Sequence, residues 1–510
     1  MQEESQNTKR LAKNTMMLYF RTFLIMGVSL YSVRVLMDIL GVEDYGIYNV
    51  IGGVVISLGV INATLSGASS RFVSFAIGSG DEKLLRKYYS SIKTIHWILA
   101  LGMLIFGETL GLWLVTEKLV IPETRQSAAM FCFQMCLFTS LISVISVPYN
   151  ALIMSYERME VYAYISILEA IMKLSIIFLL PCLGIDKLMG YGILLLITQI
   201  IIRVCYNIYC LRNFRVARTK ATLDKGIFKE IFYFAGWTFT GQLAYMGYTQ
   251  GISILLNMFF GPVVNAARGV ANQVQNGAGI LAKNFQVAIR PQIIKSWARG
   301  DVSEVQNMVV MTTKLGYYLI SLTVFPIILC AKPIMSLWLN TVPEHCVSFV
   351  TLTLIAMLVE SFGSAIIVAV HAVGDIKRFQ ILETSVLFLV VPIAYVQLRI
   401  FNTSAESVLL MYILVQIVAQ MVRLRVVLPM IKMTLANYVM SVFPRLVLCT
   451  IVIVLPLVFA DIQTADILHL ALYVVGMLFF VVFVVIALGL SNTERQIFKN
   501  ILLKKLRVKN

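Results

Sequence analysis

The chain has 510 residues, 59% of them hydrophobic and 13% charged, with a mean hydropathy of +0.85. Soluble globular domains carry about 25% charged residues, so this composition excludes a soluble enzyme, a nucleic-acid-binding domain and a disordered chain. The net charge of +16 fits either a polyanion partner or, in a membrane protein, Lys and Arg retained on the cytoplasmic side.

The chain opens on MQEESQNTKRLAKN and runs into a long apolar stretch with no small-residue cleavage site, unlike a signal peptide. Apolar runs separated by charge and Gly/Pro clusters then predict about fourteen membrane spans, at 14–38, 48–78, 88–116, 125–148, 161–181, 188–211, 230–258, 263–290, 305–331, 346–371, 380–400, 407–428, 438–460 and 467–490. Only helices and closed barrels satisfy backbone polar groups in lipid, and these runs are too long for barrel strands. The expected fold is therefore an all-α polytopic membrane protein.

With a cytoplasmic N-terminus, the even connections and both tails, including basic residues at the span ends that abut them, hold 27 Lys and Arg. The odd connections hold five: Lys118, Arg125, Lys187, Lys332 and Arg399. This asymmetry places both termini inside. The richest inner loop, RNFRVARTKATLDKGIFK, divides the chain into an N-lobe (1–211), a basic linker (212–229) and a C-lobe (230–428), followed by two further helices (429–490) and a tail (491–510). In that tail Ile497, Phe498, Ile501, Leu502 and Leu506 recur at helical spacing between Lys and Arg, which predicts an amphipathic helix on the inner leaflet.

The outer connections are too short for an acid/base site, and no glycine-rich nucleotide loop precedes a Lys-Ser/Thr pair. Neither an enzyme nor an ATP-driven pump is expected. The eight cysteines and four histidines give no metal-ligand spacing, and Cys132 and Cys136 read as small packing residues.

The two halves echo one another. LGVEDYGIYN around Gly41 and GSGDEKLL around Gly80-Asp81 match FFGPVVNAARG around Gly261 and ARGDVSEV around Gly300-Asp301, at a constant offset of 220. The same offset pairs Gly59 with Gly279 and Leu36 with Leu256. A weaker echo joins SYERMEVY (155–162) to AVGDIKRF (372–379). Six spans per half make the repeats parallel, with an expected pseudo-two-fold axis along the membrane normal and a site between the lobes.

Charges inside spans mark interior pathways, because each costs about 2.5–3.5 kcal/mol at the bilayer centre on insertion scales. Lys93, Arg203 and Arg445 lie near inner ends and read as snorkelling side chains. Glu169 and Lys173 are four apart with the acid first, suited equally to a structural ion pair and to ion coupling; Glu360 is a further coupling candidate. Arg34 and Asp38 can also pair. The remaining candidates are basic: Arg21, Arg34 and Arg71 in the first hairpin, Arg268 and Lys283 in its repeat. Arg21 and Arg34 lie about 140° apart on a straight helix, so facing one cavity requires a bend, for which Gly27 is the candidate. Spans 7 and 8 add amides, among them Gln242, Asn257, Asn265, Asn272 and Asn276. Each suits either sugar hydroxyls or the joining of helices; Trp237, Tyr245 and Tyr248 are candidates for stacking on sugar rings. An excess of base over acid suits an anionic substrate.

The segment KRLAKNTMMLYFRTFLIMGVSLYSVRVLMDILGVEDYGIYNVIGGVVISLGVINATLSGASSRF (9–72) resembles the opening of Wzx-type polysaccharide flippases. These belong to the multidrug/oligosaccharidyl-lipid/polysaccharide exporter superfamily. The LG-x-E-x-YG-x-Y pattern at 40–48 is its most specific part, and twelve core helices plus two extend the resemblance along the chain. It implies flipping of an undecaprenyl-diphosphate-linked oligosaccharide across the bacterial inner membrane for capsule, O-antigen or exopolysaccharide synthesis. Arg21, Arg34, Arg71 and Arg268 match by position the arginines of the family's cationic cavity. Lys283, Gln242, Asn272 and Asn276 complete the expected substrate set; Glu169, Lys173 and Glu360 are the expected H+ or Na+ couplers. No cofactor or nucleic acid is expected; membrane lipid, a polysaccharide polymerase and chain-length proteins are the expected partners. The alternative is a cation-coupled multidrug exporter of the MATE type, which would want acidic cavity residues. A membrane glycosyltransferase is disfavoured by the short outer loops.

Overall fold

The computed structural model describes residues 2–156, 158–222, 224–373, 376–459, 467–491 and 495. Apart from Ser491 and Arg495, the tail expected as an amphipathic helix lies outside these residues.

The secondary structure among the described residues is helical. In chain order the helices are α1 (Gln2–Leu58), α2 (Val60–Gly78), α3 (Glu82–Phe106), α4 (Gln126–Ser155), α5 (Met159–Leu179), α6 (Lys187–Asn213), α7 (Lys225–Phe260), α8 (Pro262–Ala278) and α9 (Ile280–Ala298). They continue with α10 (Val302–Leu329), α11 (Ala331–Trp338), α12 (Cys346–Ser361), α13 (Ser364–Val373), α14 (Ile376–Phe388), α15 (Val390–Phe401), α16 (Ala405–Met430), α17 (Leu435–Phe459) and α18 (Ile467–Val484). Eleven helical stretches among the described residues are long and apolar enough to cross a membrane. The count of fourteen is a reading of the sequence. Large apolar side chains stand exposed at helical spacing, as in Trp97, Leu101 and Ile105 on α3 and Leu468, Leu472, Phe479 and Phe483 on α18. Faces of this kind are stable against lipid, not water.

The glycines punctuate both repeats alike. α1 leaves helical geometry at Gly41 (φ 80°), and α7 ends at Gly261 (φ 82°). Gly80 (φ 71°) and Gly300 (φ 77°) make the turns before α3 and α10. These four are the positive-φ glycines among the described residues, and they pair at the 220 offset. Glycine enters this region without the steric penalty of a Cβ. The next residue after each second turn is a helix cap: Asp81 accepts from the amides of Lys83 and Leu84, and Asp301 from that of Glu304. Helix breaks at Gly59 and Gly279 also coincide at this offset. Gly27, expected as the bend of the first span, lies within regular helix; the bend is at Gly41.

The chain divides into two compact units, Met1–Gly269 and Val270–Asn510. In the first, α4 packs on α6, α2 and α3, while α1 packs on α5 and α4. α7 joins this unit against α1 and α2. The basic linker folds onto α3: Lys93 donates to the Thr219 carbonyl at 2.8 Å, and Thr222 and Asp224 bond to Ser90 and Ser91. Its Phe214, Val216 and Ala217 enter a core with Tyr89, Ile92, Leu152 and Tyr206. In the second unit α16 packs on α12 and α14, and α10 on α9, α12 and α17.

Candidate functional site

The basic set of the first unit is carried by the punctuated helices. Arg34 is half-buried on α1 and Arg71 exposed on α2. Arg268 on α8 is buried, at 5% exposure. Gln242 on α7 is exposed. The side chains of Arg21 and Trp237 lie outside the described residues. In the second unit Asn272 is half-buried and Asn276 exposed on α8, and Lys283 is exposed on α9. Tyr245 and Tyr248 meet edge to face at 5.5 Å, with Tyr245 exposed. Of the amides, Asn257 has a structural role: its Oδ1 accepts from the Val120 amide at 2.8 Å and its side chain is fully buried.

Close approach of α1 to α7 and α8 rests on glycine. A Cβ at Gly46 would fall 1.9 Å from the Pro262 carbonyl oxygen, and one at Gly269 2.8 Å from Asn49. The glycine and asparagine of LGVEDYGIYN are thus packing residues in the first unit. Its Asp44 binds Arg125, whose Nε donates to Oδ1 at 2.7 Å, while Arg125 Nη1 donates to Asp186 at 2.6 Å. Asp186 also caps α6 through the amides of Leu188 and Met189. The Arg125 guanidinium beside Asp186 holds its carboxyl below the usual carboxylate range. The result is a three-way clasp of α1, α4 and α6, invisible at the sequence level because its members are 81 and 61 residues apart.

Glu169 and Lys173 form the helix ion pair allowed by their spacing, at 2.6 Å on α5. Lys93 and Arg203 are not left to snorkel alone. Lys93 also lies over the Tyr89 ring, and Arg203 lies over Tyr149 and donates to Ser146.

The second unit has a different interior. Tyr412 of α16 donates to the Glu360 carboxylate of α12. Gln416 Nε2 donates to the Tyr412 hydroxyl oxygen at 2.9 Å, and Gln420 Nε2 to the carbonyls of Val359 and Glu360. Arg423 Nε donates to Glu383 of α14 at 2.6 Å, both side chains being buried. Residues 412, 416, 420 and 423 follow helical spacing, so α16 presents one polar stripe inside the unit. Glu360 was legible as an intramembrane charge; its partners were not. Arg423 was not singled out in the sequence, and the structure buries it against an acid 40 residues away.

The 220 offset reaches further than the glycines. The pair Arg125–Asp186 recurs as His345–Glu406, with His345 Nδ1 at 2.5 Å from the carboxylate. Arg203 recurs as Arg423, and α4 and α12 begin at Gln126 and Cys346. The pair escapes a search for identity because the two positions hold Arg and His, and Asp and Glu.

No family model and no curated protein matches the chain. Solved structures match it in fold. An inward-facing multidrug resistance MATE family transporter of the MOP superfamily is 14% identical, with a TM-score of 0.68 over 79% of this chain and 94% of that one. The lipid II flippase MurJ in an inward closed conformation is 12% identical, with a TM-score of 0.68 over 91% and 98%. A MOP superfamily transporter from Pyrococcus furiosus, described by the reverse polarity of its binding pocket, is 15% identical, with a TM-score of 0.59 over 83% and 97%. The likeness is one of fold: the chain is a multi-pass membrane protein built like the transporters of that superfamily.

Proposed function

We propose that the protein flips an undecaprenyl-diphosphate-linked oligosaccharide across the bacterial inner membrane, for capsule, O-antigen or exopolysaccharide assembly. The observation that carries this reading is the sign of the charges on the repeated hairpins. Arg34, Arg71, Arg268 and Lys283 are basic; the acids of the first hairpin are Asp38, Glu43 and Asp44, and Asp44 is bound by Arg125. A diphosphate head group needs fixed positive charge, which Arg supplies at every physiological pH and in a planar fork. The exposed amides Gln242 and Asn276, with Asn272 and Tyr245, suit sugar hydroxyls and rings. The lipid tail stays in the bilayer while alternating access moves the head group between leaflets. The fold shared with the lipid II flippase MurJ supports a lipid-linked substrate. On this reading both termini are cytoplasmic, the protein does no covalent chemistry, and a polymerase and chain-length proteins act downstream.

The fold matches a MATE transporter at the same TM-score, so a cation-coupled multidrug exporter is the second reading. Deleting the gene separates the two: a flippase mutant loses surface polysaccharide without gaining drug sensitivity. Within the protein, Arg21→Ala, Arg71→Ala and Arg268→Ala should each abolish complementation of a flippase-null strain while the protein still reaches the membrane. Losing a buried charge partner typically costs about 2–5 kcal/mol, or a factor of about 30 or more in affinity. Lys at the same sites should rescue in part. Normal transport by the alanine variants would overturn the anion-binding role.

A further inference from the structure

One face of the first unit is open where its repeat is covered. The 220 offset, anchored at Gly80 and Gly300, sets Lys93, Trp97, Leu101 and Ile105 of α3 against Thr313, Tyr317, Ser321 and Phe325 of α10. A spacing of four keeps each set on one helix face. The α10 set is buried throughout. α17 packs on that helix: its Tyr438 donates to the Thr313 hydroxyl at 3.2 Å, and its Thr450 bonds Tyr317 at 2.6 Å. Among the described residues the α3 face stays open, with Trp97 54% exposed and Leu101 59%.

The linker end of this open face carries charge that the covered one lacks. Lys93 is half-buried, lies 5.7 Å from the centre of the Tyr89 ring and donates to the Thr219 carbonyl. Arg203 of α6, also half-buried, lies 5.7 Å from the centre of the Tyr149 ring and donates to Ser146 at 3.4 Å. The two cations are close enough to repel each other, and neither meets a carboxylate among the described residues. Nearby acids are engaged elsewhere: Asp224 caps α7, Glu230 accepts from Tyr88 and Glu82 pairs with Arg86. Most donors of the ammonium and the guanidinium therefore remain for a ligand. The Tyr89 hydroxyl, within electrostatic reach of Arg203, is buried with no partner among the described residues. Arg218 and Lys220, on either side of Thr219, are exposed and add to the positive charge. The repeat places a neutral Thr313 where Lys93 stands, so the helical frame does not need the cation.

We propose that this face is a binding site for an anionic phospholipid of the leaflet on the linker's side. Its phosphate lies between Lys93 and Arg203, and an acyl chain runs along Trp97, Leu101 and Ile105. An amphiphile with a negative head is the occupant whose polarity follows the face, charged beside the linker and apolar beyond it. Phosphate oxygens accept strong, charge-assisted bonds from both side chains. A protein helix in this place, as α17 is on α10, would have to bury an acid against the pair and bear its desolvation. The lipid thus does for α3 what α17 does for α10. It also offsets the repulsion at Lys93, whose bond to Thr219 holds the linker. The site is built from the first unit alone and does not depend on what the protein transports.

Photolabelling of the full chain in phosphatidylcholine nanodiscs tests the site. The probes are phosphatidylglycerol and phosphatidylcholine carrying the same diazirine on an acyl chain, each at trace level. Labelling of residues 97–105 is read by peptide mass spectrometry against the lipid-facing stretch 468–483 of α18. Phosphatidylglycerol should label 97–105 about 30-fold more than phosphatidylcholine does, relative to α18, since each cation favours an anionic lipid by about fivefold. Lys93→Gln combined with Arg203→Gln should abolish that preference while leaving α18 labelling unchanged. Lys93→Arg and Arg203→Lys, which keep the charge, should retain most of it, separating loss of charge from loss of fold. Equal ratios on α3 and α18 in the wild type overturn the proposal. So does a preference that survives in the double glutamine variant or is lost in both charge-keeping ones. A face labelled by neither lipid and cross-linked to a second copy of the chain overturns it in favour of a protein partner.

Discussion

Two equivalent arginines show how the same helical frame has been put to different uses. Arg203 on α6 lies over the Tyr149 ring, half-buried, and reaches a serine hydroxyl. Arg423 on α16, 220 positions later, is buried against Glu383. The first arrangement keeps a cation solvated by a ring and a hydroxyl; the second depends on a complementary charge. A buried ion pair is weak evidence for stability, since an apolar pair of similar volume often does as well. What the second unit gains is a charged anchor at one end of the α16 stripe.

The comparison can be broken most sharply at these arginines. Arg423→Ala leaves Glu383 uncompensated and should destabilise the protein by about 3–5 kcal/mol, read as a lowered Tm in detergent micelles. Arg203→Ala, which abandons no buried acid, should cost about 1 kcal/mol. The double variant Glu383→Ala with Arg423→Leu should recover much of the loss. Equal effects of the two single alanine variants would mean that burial at Arg423 has been misjudged.

The next largest contrast is between Gly46 and its equivalent, Ala266. Gly46→Ala drives a Cβ into the Pro262 carbonyl and should cost about 3 kcal/mol, because backbone has to move. Ala266→Gly removes only a Cβ from helix and should cost about 1 kcal/mol in chain entropy, plus a small cavity. Size-exclusion chromatography of the detergent-solubilised variants measures both.

Smaller effects sharpen the paired clasps. Asp186→Ala removes a helix cap and one arm of Arg125, and should cost about 1–2 kcal/mol. Arg125 depresses the Asp186 carboxyl, so its stabilisation is complete above the ordinary carboxylate value of about 3.9. It is lost as pH falls through the lower folded value. The Tm difference between wild type and Asp186→Asn should therefore stay constant from about pH 8 to about pH 5 and shrink only below about pH 4. His345→Arg should shift the Tm least, within about 0.5 kcal/mol, because Arg already fills this role opposite Asp186.

The sequence by itself determined the membrane class, the helical secondary structure and the repeat's glycine punctuation. Each is local: hydropathy accumulates over one span, and a left-handed turn before Asp81 or Asp301 is written in the Gly-Asp pair itself. It also exposed Glu360, because a carboxylate within an apolar run is conspicuous whatever surrounds it. The tertiary structure alone decided which charge meets which. Asp44 with Arg125, Glu360 with Tyr412 and Glu383 with Arg423 are joined across 81, 52 and 40 residues. It also showed that Gly46 serves close packing and that Arg423 is buried against an acid. Such pairings depend on the rotation and register of one helix against another, which a single helix's residue pattern does not fix.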